Sequence, residues 1–509
     1  MRTNKITPKQ WLEFHPYKTS NNIDKYYIEI ANRIRQALLS TGITCYDDDI
    51  TDMSLRLAAW FEDIISQTHI WKTFINECEK RYGKKLPFYP IENNYHTDGI
   101  NLEDIYFLLW HCLQQQNLGE QVINPENPGI QKAGNLIYEI LSKESKNAPQ
   151  NPWMQDFFQK NTPAQEDFLA YRAQLEWFHF NCYFSLGNLH ALQEQTYNVL
   201  ANYEGNTPKE IDMLCYRLKV SSLFQARNNL LSLPSYKWLS LIWEENKATA
   251  GPWKDIETLP ESYYLYLKED ERCIYIQSFT EEKQIFAIDK ESLDLQNIKN
   301  LKAENSIINC MLVKYGDTWW QNGVLFIIDN DNELEAIIAK ENSKRNLSNE
   351  KLAFQDFMKA NEGKFFVFCR NKRELSNFLS KKMGYKNAPG VKLPAIGREG
   401  AVLMATPQTG LHIQLELTEC ICSPDNPFYQ KEEAKELAFL FFINPEVIPY
   451  ELSCLLQDKG MLPDAGLNSL LGRKHGQQLL QSNARFLTDY FFQRYREKDY
   501  DDPLLKKWL

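Results

Sequence analysis

The first half of the chain places apolar residues at the spacing of amphipathic helices. Between residues 102 and 113 they recur at intervals of three, four and seven, which puts them on one helical face. Asn101 is suited to cap this helix, and Glu103 and Asp104 suit its first turn, where the helix dipole favours negative charge. The pattern therefore predicts a helix that starts after Asn101 and buries Leu102, Ile105, Tyr106, Leu109, Cys112 and Leu113.

The same spacing predicts further helices in this half of the chain. For one of them, Thr51 and Asp52 are suited to the N-cap. Gly187 is expected to interrupt another. Proline-containing segments predict loops between them, because proline disfavours helix for the residue before it. The predicted helices cover residues 24–38, 57–65, 163–200 and 208–231, and the predicted loops cover 84–90, 124–129 and 147–152.

From Tyr263 onward the pattern changes to short runs rich in β-branched and aromatic residues. Charged or polar turns separate these runs, as in an antiparallel meander. The runs cover residues 264–267, 273–276, 285–288, 307–313, 324–328 and 365–368, with helices predicted over 349–359, 372–383 and 477–496.

These patterns predict an α+β fold. A helical N-terminal region precedes a central antiparallel β-rich region and a helical C-terminal segment. We expect a helical domain over residues 1–255, a β-rich α+β domain over 256–430, and C-terminal helices over 431–509 that pack on the preceding domains.

The last predicted strand alternates apolar and polar residues. Strand geometry sends neighbouring side chains to opposite faces, so one face is expected to join the central sheet through Ile413. The other face would meet water or a ligand, which makes His412 and Glu416 candidate binding residues. The apolar face consists of Leu411, Ile413, Leu415 and Leu417, and the polar face of His412, Gln414, Glu416 and Thr418.

Charge and composition narrow the class of protein. A net charge of −10 disfavours a broad nucleic-acid footprint, which needs clustered lysine and arginine. No signal-peptide pattern and no apolar run long enough for a transmembrane helix is visible, so no membrane partner is expected. The chain has 11 cysteines, an odd number that are mostly spread singly, which favours a reducing cytoplasm over a disulfide framework.

The densest candidate site is the segment from Tyr315 to Gly323, where two glycines flank two adjacent tryptophans. In a hairpin the two rings face opposite sides, so one is expected inside and the other outside. An exposed ring beside polar neighbours would form a recognition platform. The alternative is a tight turn with aromatic core packing. The candidate residues are Asp317, Trp319, Trp320, Gln321 and Asn322.

Candidate metal and catalytic sites are incomplete. His412, Cys420 and Cys422 would leave zinc short of a fourth ligand. His111 and Cys112 are neighbours on a helix, point about 100° apart and cannot pair as nucleophile and base, although His111 stays a candidate binding residue. The glycine patterns of nucleotide and phosphate sites are absent. We therefore expect neither a metal nor a cofactor.

Several stretches resemble an uncharacterised family of Bacteroidetes proteins, a domain of unknown function. The resemblance extends over nearly the full chain and implies a bacterial cytoplasmic setting, without a mechanism. It is carried by Trp11–Tyr17, Trp60–Ser66, Tyr82–Tyr89, Leu102–His111, Gly316–Gly323, Ser423–Tyr429 and Pro449–Leu452.

Three functional hypotheses remain from the sequence. The first is a non-enzymatic interaction or regulatory protein whose partner is unknown, a protein being one option. The second is a hydrolase-like enzyme whose residues converge from distant segments, since such sites are recognised by geometry. The third is nucleic-acid binding through the basic group formed by Arg370, Lys372, Arg373, Lys381, Lys382 and Lys386.

Overall fold

The computed structural model of the chain confirms the α+β fold. Two compact units are present: the first contains Met1–Gln116, Pro125–Asn228 and Leu233–Ser343, and the second contains Asn117–Asn124, Asn229–Ser232 and Lys344–Leu509. The structure describes residues 5–492 except 44–45, 92–93, 117–121, 161, 164–166, 187, 203–206, 249–250, 280–282, 294–298, 300, 303–304, 331–337, 339–347, 386–394, 399, 407–409, 416, 433, 435–447, 449–451, 454–455, 457–458 and 462–468.

The first unit begins with a series of helices. They are α1 (Pro8–Glu13), α2 (Asn22–Thr41), α3 (Asp47–Ser66), α4 (Ile70–Tyr82), α5 (Leu102–Gln116), α6 (Pro128–Glu144), α7 (Pro152–Gln159), α8 (Phe168–Asn181), α9 (Asn188–Asn202), α10 (Pro208–Gln225) and α11 (Ser235–Glu245). Within the described part of the chain, every helix is too short or too polar to span a bilayer.

Local sequence explains where several of these helices begin and end. Thr7 and Asn21 cap α1 and α2 in capping boxes, each accepting from a backbone N–H of the first turn. Gly42 ends α2 in the left-handed conformation. The predicted cap of α3 at Thr51 is wrong, because the helix already begins at Asp47 and the three aspartates from that residue onward occupy its first turn.

A closed five-stranded barrel follows the helices. Its strands are β1 (Glu257–Glu269), β2 (Cys273–Ser278), β3 (Ile285–Asp289), β4 (Ser306–Tyr315) and β5 (Thr318–Asp329). The strand order is β1-β2-β3-β5-β4, and β4 closes the barrel on β1. All neighbours are antiparallel except β3 and β5. This order is that of the barrels known as OB-folds.

The long first strand makes this closure possible. Residues 257–265 of β1 pair with β4, while residues 264–269 pair with β2, and the register shifts once in each half. Such irregularities bend a strand and let it serve both sides of a barrel. The interior is filled by Tyr264, Tyr266, Ile274, Ile276, Phe286, Ile288, Leu293, Ile308, Cys310 and Leu312.

Helices of the first unit pack against the outer side of the barrel at the β4–β5 turn and the first half of β5. Tyr171 of α8 stacks on Tyr315 with ring centroids 4.9 Å apart, and Phe168 stacks on Trp320 at 5.2 Å. Gly323 has a φ of +88°, and a Cβ there would overlap the Val220 side chain of α10. Glycine is therefore suited to this position for two reasons: it adopts the positive φ without strain, and it leaves room for α10 to pack closely on the barrel.

The second unit contains a separate sheet. Strands β6 (Phe366–Cys369), β7 (Ala401–Thr406) and β8 (Gly410–Gln414) pair in that order, all antiparallel. The prediction that the Ile413 strand joins the central sheet is wrong: β8 pairs with β7, which is buried along its whole length and needs a neighbour on each side. The described helices of this unit are α12 (Ser348–Ala360), α13 (Lys372–Asn377), α14 (Arg473–Ser482) and α15 (Ala484–Phe492).

Candidate functional site

The outer surface of β2, β3 and the C-terminal part of β1 forms a face that is accessible to solvent. Register places the outward side chains in two rows across the three strands. The first row is Leu265, Gln277 and Ile285, and the second row is Lys268, Tyr275 and Ala287. None of the six is buried, and Ile285 is 55% exposed. We call these six residues the barrel face.

Strand β4 shows the opposite pattern. Its inward residues fill the barrel, yet its outward residues are buried as well: Ile307, Asn309, Met311, Val313 and Tyr315. Strands β2 and β3 instead alternate between buried and accessible positions. A strand buried on both sides lies between two layers, whereas an alternating strand has one solvated side. The barrel is thus held from one side and exposed on the other.

Tyr275 occupies a fixed position on the barrel face. Its hydroxyl donates to Oδ2 of Asp270 at 2.6 Å, and Nζ of Lys268 lies 5.1 Å from the ring centroid. The hydrogen bond from Tyr275 and those from the backbone N–H groups of Cys273 and Arg272 lower the pKa of Asp270 to about 2. The Asp270 carboxylate therefore binds both the backbone of the β1–β2 loop and the hydroxyl of Tyr275.

The residues of the predicted recognition platform do not form an exposed aromatic surface in the structure. Gly316 and Asp317 form the β4–β5 turn, with Gly316 at a φ of +65° and Asp317 exposed. Trp319 packs against the barrel interior, where its ring lies 5.1 Å from Phe286. Trp320 is buried against the helices instead. The two rings do face opposite sides, but both are used for packing.

The two amides that follow are also used internally. Nε2 of Gln321 donates to the Gly323 carbonyl at 2.6 Å, and Nδ2 of Asn322 donates to the Val220 carbonyl at 2.9 Å. Asn322 therefore ties the barrel to α10. As placed, neither side chain is available to a partner.

The remaining sequence candidates do not form one site. His412 lies on β8 opposite Met404, and Glu416 lies outside the described residues. Among the described residues, His412, Cys420 and Cys422 do not form a group close enough to share a metal ion. His111 is buried in α5, where burial and the Arg56 charge lower its pKa to about 3. Burial raises the pKa of the neighbouring Cys112 thiol to about 12, which removes its nucleophilic character at neutral pH.

The structure brings together a buried polar network that the sequence did not reveal. His15 donates from Nε2 to Oε2 of Glu62 at 2.7 Å and from Nδ1 to the Trp11 carbonyl at 2.9 Å. The other oxygen of Glu62 accepts from Nδ2 of Asn151 at 2.8 Å. Asp24 accepts from the Trp11 indole at 3.0 Å and from the Tyr17 hydroxyl at 2.7 Å.

His15 is held in its protonated form by this network. Burial lowers the pKa of His15, but the Glu62 charge and hydrogen bond, the Trp11 carbonyl and the Asp24 charge outweigh it and raise the pKa above its usual value. Both ring nitrogens face acceptors, which only the imidazolium can satisfy. The side chains of His15 and Glu62 are 1% and 2% exposed, so this is a buried ion pair.

His15, Asp24 and Glu62 also have the composition of a metal site, with ligand atoms all within 4.8 Å of one another. Two ligands of one tetrahedral zinc are about 3.3 Å apart, because each metal–ligand bond is about 2.0–2.1 Å. The 2.7 Å between His15 and Glu62 is instead the length of a charge-assisted hydrogen bond. The observed geometry therefore fits a shared proton.

Two further buried carboxylates, Asp63 and Asp104, accept hydrogen bonds elsewhere among the helices of the first unit. Asp63 accepts from Thr68, Tyr183 and the first backbone N–H groups of α4, and burial raises its pKa. Asp104 accepts from Asn101 and Tyr95, and burial raises its pKa to about 7. Each carboxylate accepts hydrogen bonds from groups of its own neighbourhood, which is a structural arrangement.

The comparisons give the chain a family. The family model described as Protein of unknown function (DUF3843) matches residues 5–284 and 312–493. The chain belongs to this family. The DUF3843 match includes the His15–Glu62 network and strands β1 and β2 of the barrel face. No curated protein and no solved structure matched the chain.

Proposed function

We propose that this protein is a non-enzymatic binding protein whose barrel face contacts a partner protein. One observation carries the proposal: outward residues are buried on β4 and accessible on β2 and β3. The helices would then act as a scaffold that fixes the barrel from behind and leaves the opposite side open.

The chemistry of the barrel face favours a protein partner. Tyr275 and Ile285 offer an aromatic and an aliphatic contact, and tyrosine is enriched in the centres of protein interfaces. Lys268, Gln277 and the Asp270 loop supply a polar rim. Positive and negative charges alternate around the face, with Lys268 and Arg272 beside Glu269 and Asp270, so a polyanion gains little there.

A second candidate ligand is a single-stranded oligonucleotide. OB-fold barrels bind such ligands on the face of strands 2 and 3, which is the side left open here. Tyr275 would provide a stacking surface and Lys268 a cation beside it. Because one fold hosts many functions, this candidate is an analogy from strand order.

An interaction assay with matched variants tests the proposal. Partners are captured from an extract of the source organism, purified, and titrated against wild type, Ile285→Asp and the control Leu169→Asp. Leu169 is 53% exposed on α8, close to the 55% of Ile285. We expect at least about tenfold weaker binding for Ile285→Asp, or about 1.4 kcal/mol, and no change for the control. Equal binding by all three proteins would reject the barrel face.

Fluorescence anisotropy with a labelled oligothymidylate of about 20 nucleotides separates the two ligands. Nucleic-acid binding at the barrel face requires an affinity that falls steeply with salt and with Tyr275→Ala. We expect no such binding.

We also propose a bacterial cytoplasmic setting. It is supported by the resemblance noted from the sequence and by the free thiols among the described residues, which fit a reducing compartment. Expression of a tagged chain in the source organism, followed by fractionation, tests the location.

A further inference from the structure

A basic segment of the second unit, residues 370–382, continues α13 into a wider helical turn. Helix α13 ends at Asn377, and Phe378–Lys382 follow as a π-helix. The backbone N–H of Met383 donates to the Phe378 carbonyl, five residues earlier, at 3.1 Å. Such turns are rare and occur frequently at functional sites. Here the turn determines which side chains of the segment face solvent.

The π-helical turn keeps two lysines on the surface. Leu375 and Phe378 are buried and define the inner face of the segment. In a continuous α-helix the next residue on that face would be Lys382, because it follows Phe378 by four residues and Leu375 by seven. The wider turn places Met383 there instead. Met383 is buried, while Lys381 and Lys382 are exposed.

The exposed side chains of residues 370–382 are all polar or charged. One of them is acidic, and this Glu374 uses its carboxylate to accept from the Arg370 backbone N–H at 2.8 Å. Lys364 nearby pairs with Asp425, whereas among the described residues none of the exposed cations of the segment forms an ion pair. These cations are Arg370, Lys372, Arg373, Lys381 and Lys382. Lys386, the sixth member of the predicted basic group, lies outside the described residues.

We propose that residues 370–382 bind the phosphodiester backbone of a nucleic acid. Charge complementarity supports this ligand, since each cation placed against a phosphate releases condensed counterions. The guanidinium of Arg373 matches phosphate oxygens with two parallel hydrogen bonds. Ser376 and Asn377, both exposed, add neutral hydrogen-bonding groups between Arg373 and Lys381. Basic and neutral side chains of these types make most contacts to nucleic-acid backbones.

The same surface disfavours two other anionic partners. Protein interfaces are enriched in aromatic side chains at their centres, and attachment to an anionic membrane depends on apolar side chains that enter the lipid. In this segment Leu375 and Phe378 are buried and Leu379 is half-buried, so its apolar side chains pack within the protein. A ligand contacted through charge and hydrogen bonds fits this surface better than either alternative.

The acidity of the whole chain limits the expected affinity. A net charge of −10 repels a polyanion at long range, so binding depends on the few contacts of this segment. Four or five phosphate contacts predict a loss of affinity on the order of a hundredfold between about 50 and 200 mM salt. The segment belongs to the second unit and the barrel face to the first, so this proposal does not depend on the proposed function.

Fluorescence anisotropy with labelled duplex DNA, duplex RNA and single-stranded RNA, each of about 20 nucleotides per strand, tests the proposal. The three probes distinguish the possible sources of the phosphate backbone. The double variant Lys381→Glu with Lys382→Glu should bind at least about tenfold more weakly than wild type. The control, Lys132→Glu with Lys143→Glu, reverses two exposed lysines of α6 and changes the net charge equally. It should bind within about twofold of wild type, because its lysines lie outside the segment.

Four outcomes would overturn the proposal. They are no salt-dependent binding of any probe by wild type up to about 100 μM protein, wild-type affinity of the Lys381 and Lys382 double variant, equal losses in both double variants, and displacement of the probe by polyglutamate at equal charge concentration. The last outcome would favour an acidic protein as the ligand. Circular dichroism verifies that each variant is folded.

Binding at this segment is distinguishable from binding at the barrel face. Tyr275→Ala and Ile285→Asp should bind the nucleic-acid probes as wild type does, because both residues belong to the barrel. Loss of nucleic-acid binding in Tyr275→Ala would place the ligand on the barrel face and would also overturn the present proposal.

Discussion

Leu265 and Ile307 are cross-strand partners on the outer surface of the barrel, yet Ile307 is fully buried and Leu265 is accessible. A boundary between covered and open positions therefore runs between these two residues. The outward residues of β4 are covered, and the barrel face begins at Leu265.

This boundary predicts different costs for the same substitution. Ile307→Ala should destabilise the protein by about 2–5 kcal/mol, because it leaves a cavity between two packed layers. Leu265→Ala should cost less than about 1 kcal/mol, since its side chain remains partly in water. Urea unfolding monitored by tryptophan fluorescence measures both changes. Equal costs would place the two residues in the same environment and contradict the boundary.

The His15–Glu62 pair should be strongly coupled. Removal of one partner from a buried ion pair leaves an uncompensated charge, so His15→Ala and Glu62→Ala should each cost about 3–5 kcal/mol. The double variant should cost much less than the sum. Lys160→Ala is a control, because Lys160 and Asp156 form an exposed pair worth less than about 1 kcal/mol. Additive costs in a double-mutant cycle would mean that the pair does not interact.

The raised pKa of Asp104 predicts a pH effect with a definite sign. The folded protein holds a proton on Asp104 up to a pKa of about 7, whereas the unfolded chain releases it near 3.8. Stability from this group is therefore full below about pH 4 and is lost as the pH rises through 7.

Asp104→Asn removes this dependence. Because His111 and His179 have pKa values lowered to about 3 and act in the opposite direction, the variant is compared with wild type at each pH. Relative to wild type, it should gain about 1.4 kcal/mol of stability for each pH unit between about 4 and 7. Thermal unfolding of Asp104→Asn and of the exposed-site control Asp317→Asn measures the difference. A flat difference for Asp104→Asn would show that Asp104 titrates normally.

Gly323 should be less tolerant of alanine than other glycines with positive φ. Gly83 has a φ of +68° and open space where a Cβ would lie, so Gly83→Ala reports backbone strain alone, about 1–2 kcal/mol. Gly323→Ala adds an overlap with Val220 and should cost at least about 1 kcal/mol more. Val220→Ala should relieve part of that excess in the double variant. Equal effects at the two glycines would argue against close packing of α10 on the barrel.

Local patterns predicted the elements well. Helix α5 starts directly after Asn101 as its apolar spacing indicates, and the meander of β1, β2 and β3 lies on the predicted runs. These features depend on neighbours within a few residues. Residues 307–313 are apolar except for Asn309, which is typical of a strand buried on both sides.

Long-range relationships could not be predicted. Glu62 is 47 residues from His15, and no local pattern indicates that they meet. The parallel pairing of β3 with β5 likewise depends on the path of the chain. The sequence predicted that Trp319 and Trp320 face opposite sides of a hairpin. It could not indicate that Trp320 is buried, because the helix that packs on it through Phe168 comes from about 150 residues earlier in the sequence. The open barrel face could be assigned only after these contacts were known.

Hydroxyl-radical footprinting of the protein, alone and saturated with its captured partner, tests the barrel face most directly. Tyr275 and Ile285 should be oxidised in the free protein, while Met311 is protected despite the high reactivity of methionine, because it lies between the barrel and the helices. Partner binding should protect Tyr275 and Ile285 and leave Met311 unchanged. Rapid oxidation of Met311 in the free protein, or unchanged oxidation of Tyr275 and Ile285 in the complex, would contradict the account.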